Sequence, residues 1–475
     1  MIADSLVRPM MTASANALSR SESTSRPALG GGQSHFPVTT AALERVAARL
    51  LDVARAGGAT AAETEVSQAV GQSVTVRKGA VETIAYNRDK GVGVTVYVGA
   101  RRGHASTADF ADEAIKATVD KALAIARFTA EDPNAGLADA DRLATAWPDL
   151  DLYHPWDLAV DDAIELGRQA EAAALGVDRR ISNTEGASVS RGESEFLYAN
   201  SLGFSGGYRS SRHHIDCAVI GEADGAMQRD YWYTAARAPE DLLTPEHVGR
   251  IAGERTVSRL GARQLGTLEC PVLFEASEAG DLLGAFVHAV SGGSLYRRSS
   301  FLLDSLGTPI FAPHVNIREE PHLPRARGSA PFDNEGVATT ARDVVTDGVL
   351  AGYFLGSYSA RKLGLQSTAN AGGAHNLVVA GSEGLDALLR RMGRGLFVTE
   401  QLGQGVNAVT GDYSRGAAGF WVENGEIAYP VEEITIAGNL KAMFRNIVAL
   451  GNDLERRGSR HIGSMLIERM TIAGS

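Results

Sequence analysis

Apolar residues recur every three or four positions in "AALERVAARLLDVARAGGA" (residues 41–59), and the run stops at Gly-Gly. That spacing lines one face of a helix, and a glycine pair suits its C-terminal end. A period of two follows in "SVTVRKG", "GVGVTVYVG" and "RGHAST", which predicts strands joined by hairpins. Helical spacing returns in "FADEAIKATVDKALAIARF" (residues 110–128). Residues 39–130 therefore read as a small α/β domain of helix, sheet and helix.

Pro and Asp then dominate "AEDPNAG" and "AWPDLDLYHPWDL", a linker pattern. A helix is predicted near residues 161–174. Two long strands follow, turning at Asp224-Gly225, and then a helix over 244–261 with Pro245 in its first turn. These make a mixed middle domain, residues 131–262. From "CPVLFEA" onward hairpin cues dominate, with Asp347-Gly348 and Asn424-Gly425 both suited to type I′ turns. Three helices interrupt them: "LLGAFVHAV" stopped by Gly292-Gly293, "GLDALLRRM", and "NLKAMFRNIVALG" (residues 439–451). Residues 263–475 are expected to form a β-rich C-terminal domain, and the fold class is α+β.

A chain of 475 residues is too long for one core, in keeping with several domains. Its 44% apolar and 22% charged residues are ordinary for a globular protein. The net charge of −11 argues against nucleic acid as a partner, and the basic "ERRGSR" (residues 455–460) reads as a solvated face. Only Cys217 and Cys270 are present, which rules out a disulfide framework and predicts a reducing, cytoplasmic setting. No apolar run is long enough to cross a membrane. Residues 1–38 are rich in Ser and Arg and poor in acids. They are expected to be a disordered tail or a start assigned too early, with Met10 and Met11 as alternatives.

Several motifs fail on context. "GFSGG" places Ser205 before a strand rather than a helix, so it reads as a β-turn and not a nucleophile elbow. In "HHIDC", a strand would put His214 and Asp216 on one face and His213 and Cys217 on the other, too few to converge on zinc. The Gly-rich stretch at 403–419 lacks the Gly-Lys of a phosphate loop. No His is followed by Glu anywhere, so the H-E-x-x-H class of zinc helices is absent.

Longer words carry more. "SNTEGASVSRGESEF", "SGGSLYRRSSFLLDSLG", "PHLPRARGSAPFDNEGVATT", "GYFLGSYSARKLGLQSTANAGGAHNL" and "GQGVNAVTGDYSRGAAGFWVENGEIAYPVEEITIAGNL" occur in order. Together they resemble the TldD/PmbA family, most closely its PmbA (TldE) branch, from about residue 40 onward. The resemblance implies a heterodimeric zinc peptidase acting on unfolded peptides, in proteolysis, peptide maturation or antitoxin degradation. In that family the TldD subunit carries zinc on an H-E-x-x-x-H helix and a Cys near the C-terminus. Aligned by flanking residues, the first His falls on Gly284, the Glu on Ala285, the second His on Ala289 and the Cys on Ile462. His288 misses the second position by one residue, about 100° of helical rotation. His461, beside Ile462, would supply at most one more ligand.

The resemblance thus implies a subunit with no catalytic residue, metal or cofactor of its own, joined to a TldD-like partner that brings the zinc. Asn370, His375 and Asn376 in "NAGGAHN" are candidates for holding peptide, and Arg297 and Arg298 for holding a carboxylate. The alternatives are a homodimeric peptide-binding or regulatory protein, and an independent hydrolase with an unrecognised site.

Overall fold

The computed structural model describes residues 35–474. The expected tail, up to residue 34, lies outside the described residues. Helix α1 (Thr40–Ala56) leads into strands β1 (Ala61–Arg77), β2 (Ala80–Val98) and β3 (Arg101–Thr107), followed by α2 (Asp112–Phe128). An irregular stretch reaches α3 (Val160–Leu175) and then β4 (Ile181–Asn200), β5 (Ser205–Ala223), β6 (Ala226–Ala236) and α4 (Pro245–Ser258). The six strands form one sheet in the order β3-β2-β1-β4-β5-β6. Residues on both sides of the boundary expected near residue 130 therefore share a sheet.

The link is an antiparallel ladder between β1 and β4, running from Glu63 opposite Asn200 to Val76 opposite Ala187. Alternate β1 residues face the helices, as a period of two requires. Ala62 and Val66 pack under α1 and α2, while Val74 and Val76 pack under α3 and α4. Between the two apolar patches the same face carries four buried polar groups around Val70: Gln68, Gln72, Glu193 and Glu195. These groups are satisfied locally. Gln68 bonds to the Val38 carbonyl and to Glu195, and Gln72 to the Leu158 carbonyl. Glu193 is bonded by His35 and by the Tyr153 hydroxyl. Thus residues 35–38, expected as part of the tail, dock on the middle of the sheet.

The last part of the chain contains β7 (Leu268–Phe274), α5 (Ala276–Ala289), α6 (Gly292–Tyr296), β8 (Ile317–Glu320), β9 (Arg342–Thr346) and β10 (Val349–Leu350). Then come α7 (Ser357–Leu363), β11 (Asn376–Val379), α8 (Leu385–Met392), β12 (Gly395–Leu402), β13 (Asp412–Glu423) and β14 (Glu426–Asn439). It ends with α9 (Leu440–Arg445), β15 (Ile447–Leu450), β16 (Arg460–His461) and β17 (Met465–Ala473). One sheet runs β14-β13-β12-β7-β17-β15, and β14 also pairs with β17, so five strands close into a ring. A second sheet runs β10-β9-β8-β11-β16. The fold is α+β, as expected. Among the described residues, no helix is long and apolar enough to cross a membrane.

Three predicted hairpins are present with both central residues at positive φ: Asp224-Gly225 at 54° and 81°, Asp347-Gly348 at 48° and 77°, and Asn424-Gly425 at 52° and 78°. Two expectations need correction. The helix expected over 439–451 ends at Arg445. The β-branched Ile447 and Val448 that follow belong to β15, which pairs with β17 instead. Gly292-Gly293 is not a helix stop but the first turn of α6, where a Cβ on Gly292 would strike Ser359 Oγ at 2.2 Å.

Helices α3 and α4 cross closely enough that a Cβ on Gly249 would sit 1.9 Å from the Ala170 carbonyl oxygen. Gly249→Ala is expected to destabilise the fold by about 1–3 kcal/mol, the usual cost of overpacking. Gly266→Ala, where a Cβ meets nothing within 4 Å, is the control. Denaturant melts of the two variants should differ clearly, and equal stability would contradict this crossing.

Candidate functional site

Helix α5 holds three of the four positions aligned with zinc ligands and base. Ala279, Leu282, Leu283, Phe286 and Ala289 form its buried face, at the three-and-four spacing of a core-facing helix. Phe286 packs edge-on against Phe311 at 5.1 Å between ring centroids. Ala289 is thus core, whereas His288, one position earlier, is exposed, with Nε2 3.5 Å from Ser294 Oγ.

Gly280 and Gly284, four residues apart, leave the backbone bare on one strip of the helix. The Arg460 side chain lies over the Gly284 end of that strip, while the space beside Gly280 is open. A Cβ on Gly284 would lie 2.7 Å from the guanidinium carbon, and Arg460 Nη1 donates to the Gly280 carbonyl at 3.1 Å. Asp281 lies 3.9 Å from the same nitrogen. Ile462, on the same side of this extended segment, is buried in the main core.

Gly284, Ala285, Ala289 and Ile462 offer no side-chain atom that can ligate a metal, and the permanent positive charge of Arg460 lies over the first of them. These residues do not fit zinc, which takes three or four protein ligands. Among the described residues, no three His, Cys, Asp or Glu side chains are grouped to hold a metal ion.

Successive side chains of a strand point oppositely. While Arg460 faces α5, His461 faces a cavity of about 620 Å³ between the large sheet and the C-terminal domain. The segment is held there by Arg457, which pairs with Glu455 and donates to the Tyr233 carbonyl at 3.0 Å. Its guanidinium sits 4.1 Å from the Trp232 ring centroid and 4.2 Å from that of Tyr233. The expected solvated face of "ERRGSR" is corrected accordingly: cation–π contact and an ion pair draw Arg457 into the interface. Nearby, Arg255 joins Asp230 and Glu275. Burial alone would lower its pKa, but the two carboxylates hold it above the ordinary arginine value.

Asn370, His375 and Asn376 are all buried and organised around β8. Asn370 Nδ2 donates to Glu319 and to the Gly373 carbonyl, and its oxygen accepts from Arg342 and Thr368. Asn376 Nδ2 donates to the Glu320 carbonyl and Ser329, and the His375 ring bonds to the Ala369 carbonyl. Their side-chain donors are committed within the chain, so they fix this loop. Arg297 and Arg298 are exposed, the first over the Tyr296 ring. Ser205 opens β5 and is exposed, as its turn context required. His214 and Asp216 do share a face, 3.1 Å apart, while His213 and Cys217 are fully buried. Burial pushes the Cys217 thiol up to about 12, which leaves it inert.

The cavity went unpredicted because its walls come from β5, β6, α4, residues 323–327 and residues 454–461, with no shared motif. The one usable signal was the density of Arg in "RAR" and "ERR" within an acidic chain.

Three family profiles match consecutive stretches: PmbA/TldA metallopeptidase domain 1 over residues 62–126, the central domain over 153–260 and the C-terminal domain over 267–474. The chain is 52% identical over 434 residues to the metalloprotease PmbA of Escherichia coli O157:H7, covering 91% of this chain and 96% of that one. It is 48% identical over 427 residues to the PmbA homologue of Haemophilus influenzae, covering 90% and 94%. A crystal structure of a candidate modulator of DNA gyrase from Bacteroides thetaiotaomicron superposes with a TM-score of 0.86 at 30% identity, covering 91% of this chain and 99% of that one. TldE from Thermococcus kodakarensis shares the fold, with a TM-score of 0.79 at 17% identity, covering 90% of this chain and all of that one.

Burial and then the nearby Glu275 charge raise the carboxyl of Glu278, on α5, to about 7 from an ordinary 4.5. The folded protein then holds a proton that the unfolded chain releases, so stability falls as pH rises from about 4.5 to about 7. Glu278→Gln should remove this contribution. The melting-temperature difference between pH 5 and pH 7.5 should shrink in the variant, and an unchanged difference would contradict the assignment.

Proposed function

The chain belongs to the PmbA/TldD metallopeptidase family, and from that membership we propose that it is the subunit of a two-chain peptidase that brings no metal of its own. Its partner carries zinc on an H-E-x-x-x-H helix, and the pair acts on unfolded peptides. This chain completes the assembly and helps to hold the extended substrate. The observation that carries the proposal is the guanidinium of Arg460 seated over Gly284, with Ala285, Ala289 and Ile462 in the remaining positions. A cation in that place repels a second cation, and zinc chemistry needs fixed ligands together with a base to activate water. Cys217 and Cys270 are free and buried, which fits the reducing cytoplasm proposed as the setting.

A second reading is a homodimeric peptide-binding or regulatory protein without a metal-bearing partner. It is favoured by the edge of β2. Residues 80–90 pair with β1 on one side, β3 reaches only residues 92–98, and Val81, Ile84 and Tyr86 are exposed there. Such an edge can accept a strand from another chain.

Co-expression with an H-E-x-x-x-H homologue separates the readings. A stable 1:1 complex is expected, with cleavage of an unfolded peptide that neither chain performs alone. Homodimers that exclude the homologue would favour the second reading. Chelator-sensitive cleavage by this chain alone would overturn both.

A further inference from the structure

The cavity beside His461 has an unbalanced charge. Of its two lining acids, Asp241 is paired with Arg325, and Glu455 with Arg457. Arg212, Arg237, Arg327 and Arg456 also line it, and among the described residues none of these four forms an ion pair with a carboxylate. Partial desolvation without a compensating carboxylate lowers the pKa of the half-buried Arg237 and of Arg327 at the cavity rim.

Unused polar groups collect at the same place. Arg212 Nη1, Trp232 Nε1, His247 Nε2 and His461 Nε2 are buried and lack hydrogen-bond partners, and all four residues line the cavity. His461 is 9% exposed. Arg and Trp nitrogens can only donate, so a bound water or a ligand oxygen has to supply the acceptor. Native proteins leave few such groups unsatisfied, and here four of them converge on one partly apolar cavity, the usual make-up of a ligand site. The rest of the wall includes Leu243, Ile251 and Leu323. A bare inorganic anion would leave that apolar surface uncovered.

We propose that this cavity binds the terminal carboxylate of a peptide, with an apolar final side chain against Leu243, Ile251 and Leu323. The carboxylate takes donors from Arg212, Arg327 and Arg456, in the manner typical of guanidinium recognition. The proposal rests on the view of this chain as a peptide-handling subunit, but it concerns binding by this chain alone and needs neither partner nor metal.

The test is calorimetric titration of the isolated chain with N-acetylated tripeptides ending in Leu, as free acid and as C-terminal amide, and with inorganic phosphate. The free acid should bind at least tenfold more tightly than the amide and than phosphate. An Arg327→Gln/Arg456→Gln double variant should weaken the free acid at least tenfold. The amide, and the melting temperature, should be unchanged within error. Equal binding of acid and amide, or undiminished binding to the folded double variant, would overturn the proposal. Tighter binding of phosphate would replace the peptide terminus with a phosphate ligand. Failure here alongside an active 1:1 complex would leave the subunit role standing, and the converse result would leave the carboxylate site standing.

Discussion

The antiparallel pairing of β1 with β4 is the constraint on which the rest of the molecule depends. It sets Val66 opposite Leu197 and Val74 opposite Val189, which puts two helix pairs on one face of one sheet. A slip of one residue would turn every one of these side chains to the other face. The buried Gln68 and Glu195 lie directly opposite each other in the same register, so their hydrogen bond holds only in that alignment. Strands β5 and β6 extend the sheet from β4, placing Arg212 on β5 and Trp232 on the edge strand β6. The position of the cavity therefore follows from the β1–β4 register.

Arginine then joins the sheet to the C-terminal domain. Arg255, Arg259 and Arg457 each bridge the two parts, through Glu275, Glu400 and the Tyr233 carbonyl respectively. Each guanidinium remains charged at any accessible pH and spreads its donors over several acceptors. The short segment 455–462 carries much of this work. Its Arg457 docks on the aromatic edge of β6, its Arg460 covers Gly284 of α5, and its His461 looks into the cavity. Helix α5 is covered at Gly284 by a cation from the same chain, while polar groups on the other side of that segment lack partners within the chain.

Much of the fold was legible where local chemistry decides it. Asp224-Gly225, Asp347-Gly348 and Asn424-Gly425 marked their hairpins because left-handed backbone favours those residues. Helices α1 to α4 followed from spacing alone. The β1–β4 ladder was not legible, because its partners are far apart in the chain and no local pattern names them. In "NLKAMFRNIVALG", helical spacing gave way to pairing with β17, a tertiary preference that overrides propensity. For the site, the positions aligned with the ligands were readable one by one, but the Arg460 contact and the cavity needed the fold. The polar residues of "NAGGAHN" suggested binding, yet burial commits them to Glu319 and its neighbours. Polar residue types in a Gly-rich loop do not by themselves distinguish a site from a turn.

Native mass spectrometry of this chain, alone and assembled with an H-E-x-x-x-H homologue, tests the central claim most directly. The account predicts no retained zinc on the chain alone and one zinc per 1:1 pair, lost when the homologue's two His ligands are replaced. Stoichiometric zinc on this chain alone, or zinc in the pair that survives loss of those ligands, would contradict it.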